Sequence, residues 1–276
     1  MLHGGKFGFH NQTFELIDHD PSRFVKFLLY SEDGDMGFPG RMTLEVTYTL
    51  TDKNTIAVSY TATTNMATPI NVSNHTYWCP SGDPSHATTD DILTIYSKAT
   101  TPVDSELIPT GEIRPTAKGG VFDFFGNSGE GKVLGRDINA NDEQLRYGKG
   151  YDHNFVLMTN DEAKANGVNF DGKFEVTDDG LTKIDNSAHL AAKVRCEHTG
   201  VTMTIVTNEP GLQFFDCHDF DGSIVGKNKK AFQQYGAYVL EPQHFPDSPN
   251  HDNFPNTILK SNEKFYSKSE YRFTID

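Results

Sequence analysis

Residues 41–62 read RMTLEVTYTLTDKNTIAVSYTA, and both halves of this stretch carry an apolar side chain at every second position. The alternating apolar residues are Met42, Leu44, Val46, Tyr48, Leu50, Ile56, Val58 and Tyr60. A period of two places such residues on one face of a β-strand. The polar step TDKN at residues 51–54 is typical of the turn between two strands. The stretch therefore predicts a β-hairpin, and with it a fold built from antiparallel sheet.

Further short segments with strand character follow along the chain, and most end at Gly, Pro, Asn or Asp. They comprise residues 69–73, 189–196, 201–207, 212–216, 237–241 and 271–275. Helical periodicity is weak, with residues 137–146 and 161–166 as the best candidates. Many short strands without βαβ alternation predict an all-β sandwich or barrel. Because the composition shows no linker-like shift, we expect a single domain over residues 1–276.

The charge of the chain argues against two classes of partner. It has 24 basic and 38 acidic residues, a formal net charge of −14 and a pI of about 5.1. An acidic chain repels phosphate backbones and anionic lipid, so nucleic acid and membrane surfaces are not expected partners. The beginning of the chain lacks the apolar core of a secretory signal. Three cysteines without a CxxC pair predict no disulfide framework, and we expect a cytoplasmic protein.

Several kinds of catalytic site lack their sequence signature. The chain contains no HExxH zinc motif, no GxSxG nucleophile elbow and no glycine-rich phosphate loop before a helix. Acid–base chemistry by a histidine and a carboxylate remains. Glu241 ends an apolar strand, where partial burial would raise its pKa toward that of a general base. His75 is the other candidate, because an unperturbed histidine side chain has a pKa near 6.5, which suits a proton donor. Both residue types are also common in structural roles, so the pattern alone leaves this pair open.

At these residues the chain resembles the aldose 1-epimerases, also called galactose mutarotases. Seven segments carry the resemblance in family order: LHGGKFGF (2–9), GFPG (37–40), ATPINVSNHTYW (67–78), PVDSELIPTGEI (102–113), GYDHNFVL (150–157), EPGLQFF (209–215) and LEPQHFPDSPNHDNFP (240–255). The resemblance implies a large antiparallel β-sandwich with few short helices. It also implies a sugar bound in an open cleft on one sheet, and neither a metal nor an organic cofactor.

The resemblance further implies a role for each of six residues. It assigns the general acid to His75 and the general base to Glu241. It assigns the substrate-binding side chains to His3, Tyr77, Asp152 and Gln213. Glu241 would take the O1 proton of a hexose while His75 protonates O5, and the roles would reverse after rotation about C1–C2. We expect the two groups to face one open cleft, on opposite sides of a sugar-sized gap.

Two aromatic residues follow Gln213 directly, namely Phe214 and Phe215. Adjacent residues on a strand point to opposite faces. We therefore expect one of them to lie in the core and the other to face the cleft.

The chain also departs from the family pattern. The family has an N-terminal segment before LHGG, including an Asn-Arg pair that binds the sugar, whereas this chain begins Met1-Leu2-His3. We therefore expect an N-terminally incomplete sandwich with uncovered sheet edges, which favour self-association. Two alternatives to a hexose mutarotase stay open: an epimerase of hexose 6-phosphates, disfavoured because no arginine cluster is evident, and a non-catalytic sugar-binding or regulatory module.

Overall fold

The computed structural model describes residues 2–175 and 188–275, in which β-strands are the main regular structure. The first strands are β1 (Glu15–Asp20), β2 (Phe24–Ser31), β3 (Met42–Leu50), β4 (Thr55–Thr64), β5 (Thr68–Pro69), β6 (Tyr77–Trp78), β7 (Ile92–Ile95), β8 (Ser97–Thr100) and β9 (Arg114–Pro115). The later strands are β10 (Lys132–Val133), β11 (Asp152–Leu157), β12 (His189–Arg195), β13 (Val201–Thr207), β14 (Gly211–Phe215), β15 (Tyr238–Gln243), β16 (Ile258–Leu259) and β17 (Phe265–Ile275).

The helices of the described residues are short. The α-helices are α1 (Glu143–Gly148) and α2 (Asn160–Ala165). The 3-10 turns are Leu2–Gly4, Phe9–Asn11, Asp35–Gly37, Thr88–Asp90, Leu134–Asp137, Lys227–Lys229 and Ser248–Asn250. Thr159 begins α2 with a capping box, in which its side chain and that of Glu162 each bond the other's backbone N–H. Within the described part of the chain, no helix is both long enough and apolar enough to cross a bilayer.

Two large antiparallel sheets form the body of the structure. The nine-stranded sheet has the order β1-β2-β3-β4-β17-β13-β12-β7-β10, and the six-stranded sheet has the order β6-β15-β14-β11-β8-β9. Strands β5 and β16 pair separately. The predicted hairpin is confirmed as β3 and β4, whose register runs from Met42 opposite Thr64 to Leu50 opposite Ile56.

Side chains from both sheets meet in one apolar core, which makes the fold a β-sandwich, as predicted. The nine-stranded sheet contributes Leu44, Val46, Val58 and Ile205, and the six-stranded sheet contributes Phe155, Leu212, Phe214, Tyr238 and Leu240. Apolar surface removed from water stabilises a fold by about 25 cal/mol per Å², and both sheets bury such surface in this core. The outer face of the six-stranded sheet is left to carry polar side chains.

Some sequence-based predictions of elements were wrong in detail. The predicted strand over residues 69–73 is reduced to Thr68–Pro69, and residues 70–76 have no regular structure. The helix predicted over residues 137–146 is a 3-10 turn followed by α1, whereas α2 lies close to the predicted 161–166. Leu50 does not share the buried face of β3, because it lies at the hairpin turn and is 57% exposed.

Candidate active site

Three neighbouring strands of the six-stranded sheet carry the polar floor of the candidate site. In the ladder between β14 and β15, Gln213 lies opposite Glu241, and in the ladder between β11 and β14 it lies opposite Asn154. Asp152 is two residues before Asn154 and so shares its face. The strand period therefore brings Asp152, Gln213 and Glu241 together on the face that points away from the core.

The alternate residues of the same strands point into the core, as the strand period requires. Phe214 is fully buried and its ring lies 5.5 Å from that of Phe124 and 5.4 Å from that of Tyr151. Phe215 is half-buried and lies opposite Asp152 in the ladder. The structure thus places Phe214 in the core and Phe215 on the face of the candidate site.

His75 reaches Glu241 from the irregular segment that precedes β6. Its Nε2 atom lies 3.8 Å from Glu241 Oε1, and the two side chains are 34% and 14% exposed. The prediction of a sugar-sized gap between them was wrong: the two groups lie side by side. Two adjacent proton-transfer groups suit two substrate oxygens that share a carbon, because each group can then reach one oxygen.

Side-chain hydrogen bonds, rather than a sheet ladder, hold the His75 segment against β15. Asn71 Nδ2 donates to the His244 carbonyl at 2.9 Å, and the His244 N–H donates to Asn71 Oδ1 at 3.0 Å. The Ser73 hydroxyl donates to the Pro242 carbonyl at 2.7 Å. Pro242 has no N–H to offer a neighbouring strand. These tethers therefore substitute for backbone pairing and fix His75 beside Glu241.

Aromatic rings line the site beyond His75. The His75 ring lies 5.6 Å from that of His3 and 5.0 Å from that of Tyr77. Tyr77 is 45% exposed and its ring lies 5.4 Å from that of Phe220. The next residue, Trp78, instead packs against Tyr271 of the nine-stranded sheet. His3 and Tyr77, to which the resemblance assigns sugar contacts, thus lie beside the His75 ring.

Asp152 and Gln213 form a preset hydrogen-bonding pair on the floor. Gln213 Nε2 donates to Asp152 Oδ1 at 2.7 Å. The Gln213 Oε1 atom is buried and has no hydrogen-bond partner among the described residues. A buried polar atom without a partner is costly. A hydroxyl donor from a ligand would satisfy it.

Burial sets the protonation of the two carboxyl groups in the site. Desolvation, with a contribution from the charge of Asp152, raises the pKa of Glu241 to about 8. Desolvation also raises the pKa of Asp152, while the hydrogen bond from Gln213 opposes that shift. A carboxyl group with a pKa near neutrality can both accept and return a proton at working pH. Over residues 2–175 and 188–275, no group of three or more His, Cys, Asp or Glu side chains is arranged to hold a metal ion.

Comparison with known proteins decides the family. The sequence profile of the aldose 1-epimerase family matches residues 1–272 of this chain. The chain belongs to the aldose 1-epimerase family. The sequence resemblance, carried by seven short segments, is thereby confirmed over nearly the whole chain.

Relatives within the family cover nearly all of this chain. It is 31% identical over 274 residues to the galactose mutarotase of Homo sapiens, an alignment that spans 99% of this chain and 69% of the relative. It is 32% identical over 278 residues to the aldose 1-epimerase of Escherichia coli strain K12, which spans 100% of this chain and 71% of the relative.

Solved structures support the same fold. An aldose epimerase homologue from C. elegans superposes with a TM-score of 0.79 at 24% identity, covering 99% of this chain and 72% of that chain. A galactose 1-epimerase from Lactobacillus acidophilus gives a TM-score of 0.76 at 23% identity, covering 100% and 70%. At these identities the structures show the fold of the family.

Sequence reasoning missed two contributors to this site, both just after β14. His218 Nδ1 bonds Asp216 Oδ1 at 2.7 Å, and Phe220 packs on Tyr77. Cys217 has a φ of 53°, a left-handed conformation that turns the chain back at this point. The available signal was the Asp-Cys-His run that directly follows EPGLQFF.

Proposed function

We propose that this chain is an aldose 1-epimerase that interconverts the α- and β-anomers of hexoses, with His75 and Glu241 transferring the protons. The observation that carries the proposal is the 3.8 Å approach of His75 Nε2 to Glu241 Oε1 on an open sheet face. The membership of the chain in the aldose 1-epimerase family supports the same reaction.

The proposed chemistry moves one proton off the sugar and one proton on. Glu241 takes the proton from the O1 hydroxyl while the His75 imidazolium protonates the ring oxygen O5. The C1–O5 bond breaks and C1 becomes an aldehyde. Rotation about C1–C2 presents the other face of the carbonyl, and ring closure returns both protons. O1 and O5 are both bonded to C1. The adjacent side chains of Glu241 and His75 can therefore each reach one of these oxygens.

The other four residues bind the sugar in this proposal. Asp152 accepts hydrogen bonds from sugar hydroxyls, and the unpartnered Gln213 Oε1 accepts another. His3 offers a ring nitrogen beside His75, and Tyr77 lines the pocket with its exposed ring. A polar floor with one aromatic wall matches a hexose, which presents hydroxyls at its rim and C–H groups on its faces.

Galactose and glucose are the proposed substrates, and the names of the curated relatives support galactose. Polarimetry of freshly dissolved α-D-galactose and α-D-glucose tests the proposal, because the purified chain is expected to accelerate the change in optical rotation above the rate in buffer alone.

The non-catalytic sugar-binding module is not favoured, since both proton-transfer residues are present and adjacent. Thermal stabilisation by sugar without any rate increase would identify that module. Cytoplasmic localisation and self-association remain predictions.

The pH dependence of the reaction is expected to follow Glu241. The profile of kcat/KM reports ionisations of the free enzyme, and the pKa of Glu241 is raised to about 8. Below about 8 the reactive carboxylate fraction falls about tenfold per pH unit. We therefore expect kcat/KM for mutarotation to rise with pH below about 6, where a histidine acid of ordinary pKa is still protonated, measured by polarimetry with the buffer rate subtracted at each pH. A profile that stays flat throughout that range contradicts the assignment of Glu241 as base.

The tether between Ser73 and Pro242 is expected to affect turnover more than binding. In Ser73→Ala the hydroxyl that holds the His75 segment is lost, and His75 can drift from Glu241. We expect kcat to fall about tenfold with KM nearly unchanged. Ser105→Ala, at an exposed serine outside the site, is the matched control. Equal kcat values for the two variants would remove Ser73 from the positioning of His75.

A further inference from the structure

We propose that His218, an imidazolium paired with Asp216, supplies positive charge to the cleft and keeps the Asp152 carboxylate charged and in position for the sugar hydroxyls. His218 is a positioning residue in this inference, since it acts on the sugar through Asp152. The inference rests on the proposed function in one respect, namely that Asp152 accepts hydrogen bonds from the sugar. The electrostatic link between the side chains can be tested without sugar.

The hydrogen bonds of Asp216 fix the tautomer of His218. Asp216 is fully buried, and a buried carboxylate requires partners. Its Oδ2 atom accepts from the Tyr151 N–H at 3.0 Å. Its Oδ1 atom accepts from the backbone N–H of His218 at 3.2 Å and from His218 Nδ1 at 2.7 Å. Nδ1 therefore carries a hydrogen, and a second proton on Nε2 makes the ring an imidazolium paired with a buried carboxylate.

The pair lies directly beside the strand that carries Asp152. Phe215, opposite Asp152 in the ladder, meets the His218 ring edge-on at 5.2 Å between centroids. On the other side the pair presses against Gly150, two residues before Asp152. A Cβ atom at Gly150 would lie 2.6 Å from Asp216 Oδ2 and 2.8 Å from His218 Nδ1. Only a glycine leaves room for the imidazole and its carboxylate at this position.

The neighbouring charges agree with this role. The hydrogen bond to Asp216 is the main cause that raises the pKa of His218, and the charges of Asp216, Asp219 and Asp152 act in the same direction. Burial raises the pKa of Asp152, and His218 is the charged neighbour that most strongly opposes that shift. A positive charge on His75 also lowers the pKa of Asp152, whereas the negative charge of Asp216 raises it.

Two further groups complete the electrostatic surroundings of Asp152. Its charge raises the pKa of Glu241 and opposes the lowering of the pKa of His3. His218 and His75 are thus the two rings whose positive charge favours the ionised form of Asp152.

The sign of the pH dependence follows from the raised pKa of His218. The stabilisation from its pairing with Asp216 is complete below the ordinary histidine pKa, and is lost as the pH rises through the folded-state value. Over the same window Asp152 loses the favourable charge of His218. We therefore expect sugar affinity to weaken with rising pH through the titration of His218.

Nuclear magnetic resonance titration of the free protein tests the link. With ¹³C-labelled Asp and His in the unmodified chain, we expect His218 to titrate above the ordinary histidine value. The Asp152 carboxyl resonance should show a second inflection at that same pH. In His218→Gln the Asp152 midpoint should rise and the second inflection should vanish. His19→Gln, at an exposed histidine of β1, is the matched control and should leave Asp152 unchanged.

The unmodified protein keeps the inference falsifiable even if the variant does not fold. An Asp152 resonance with no inflection at the His218 titration overturns it, as does an unchanged Asp152 midpoint in a folded His218→Gln protein. Polarimetry adds an independent arm: His218→Gln is expected to raise KM about threefold to fivefold with a smaller change in kcat. Absence of mutarotation by the unmodified chain would overturn the proposed function and leave the titration result standing, so the two failures are distinguishable.

Discussion

Replacing Glu241 with Gln is expected to lower kcat for hexose mutarotation by about 10²- to 10⁴-fold, the range typical of a lost general base. Gln has nearly the same shape and keeps a carbonyl oxygen beside His75, but it cannot take the O1 proton. Oε1 of Glu241 lies 3.8 Å from Nε2 of His75, so this carboxylate is within ion-pair distance of the proposed proton donor. Polarimetry on α-D-galactose measures the effect.

Stability separates a catalytic loss from misfolding in this variant. The pKa of Glu241 is raised to about 8 in the folded protein, above its ordinary value of 4.5. The folded state therefore holds a proton that the unfolded state releases, so this group makes the protein less stable as the pH rises through that window. Glu241→Gln removes the buried charge and is expected to be at least as resistant to thermal unfolding as the parent, most clearly near pH 8.

Glu15→Gln, an exposed position on β1, provides the matched control and should retain full activity. A folded Glu241→Gln protein that interconverts anomers at the parental rate would refute the proposed role of Glu241 as base.

Truncating Phe214 to Ala is expected to lower the free energy of unfolding by about 3–5 kcal/mol. The ring is fully buried where the two sheets meet, packed on Phe124 and Tyr151. Removing it forfeits its burial and leaves a cavity that the surrounding strands fill only in part. Urea denaturation followed by circular dichroism measures the change as a lower midpoint at similar slope.

Phe215→Ala is the control for that experiment, because the two residues are adjacent on β14 and point to opposite faces. Phe215 is half-buried and packs beside His218 rather than in the central core. Its truncation should cost clearly less. Equal losses for Phe214 and Phe215 would contradict the placement of the core on one face of this strand.

The central hairpin could be predicted from sequence because burial follows the side-chain period there. On β3, Met42, Leu44 and Val46 are buried and the residues between them are only partly buried. Strand β2 escaped prediction for the opposite reason: its first five residues are all half-buried, and Lys26 stands among them, so no alternation is visible. Strands of two residues, such as β6, carry no period at all.

Candidate residues for the site could be named from the sequence, whereas their geometry could not. His75 and Glu241 stood out by residue type and by family resemblance. Their direct contact depends on tethers from Asn71 and Ser73, which join segments about 170 residues apart in sequence. The Asp216–His218 pair depends on a left-handed turn at Cys217, a conformation that non-glycine residues seldom adopt. Sequence periodicity contains neither kind of information.

Strand β1, at one edge of the nine-stranded sheet, carries charged side chains that oppose pairing with another molecule. Strand β1 has a bulge between Leu16 and Asp18, and three of the six residues in its sequence, ELIDHD, are acidic, along an edge that is exposed almost throughout. Bulges and charged side chains oppose edge-to-edge pairing between molecules. Near the pI of about 5.1 the net charge that keeps copies apart disappears. Colloidal stability should therefore be poorest in mildly acidic buffer, where the apolar pair Leu16 and Ile17 is left to nucleate precipitation.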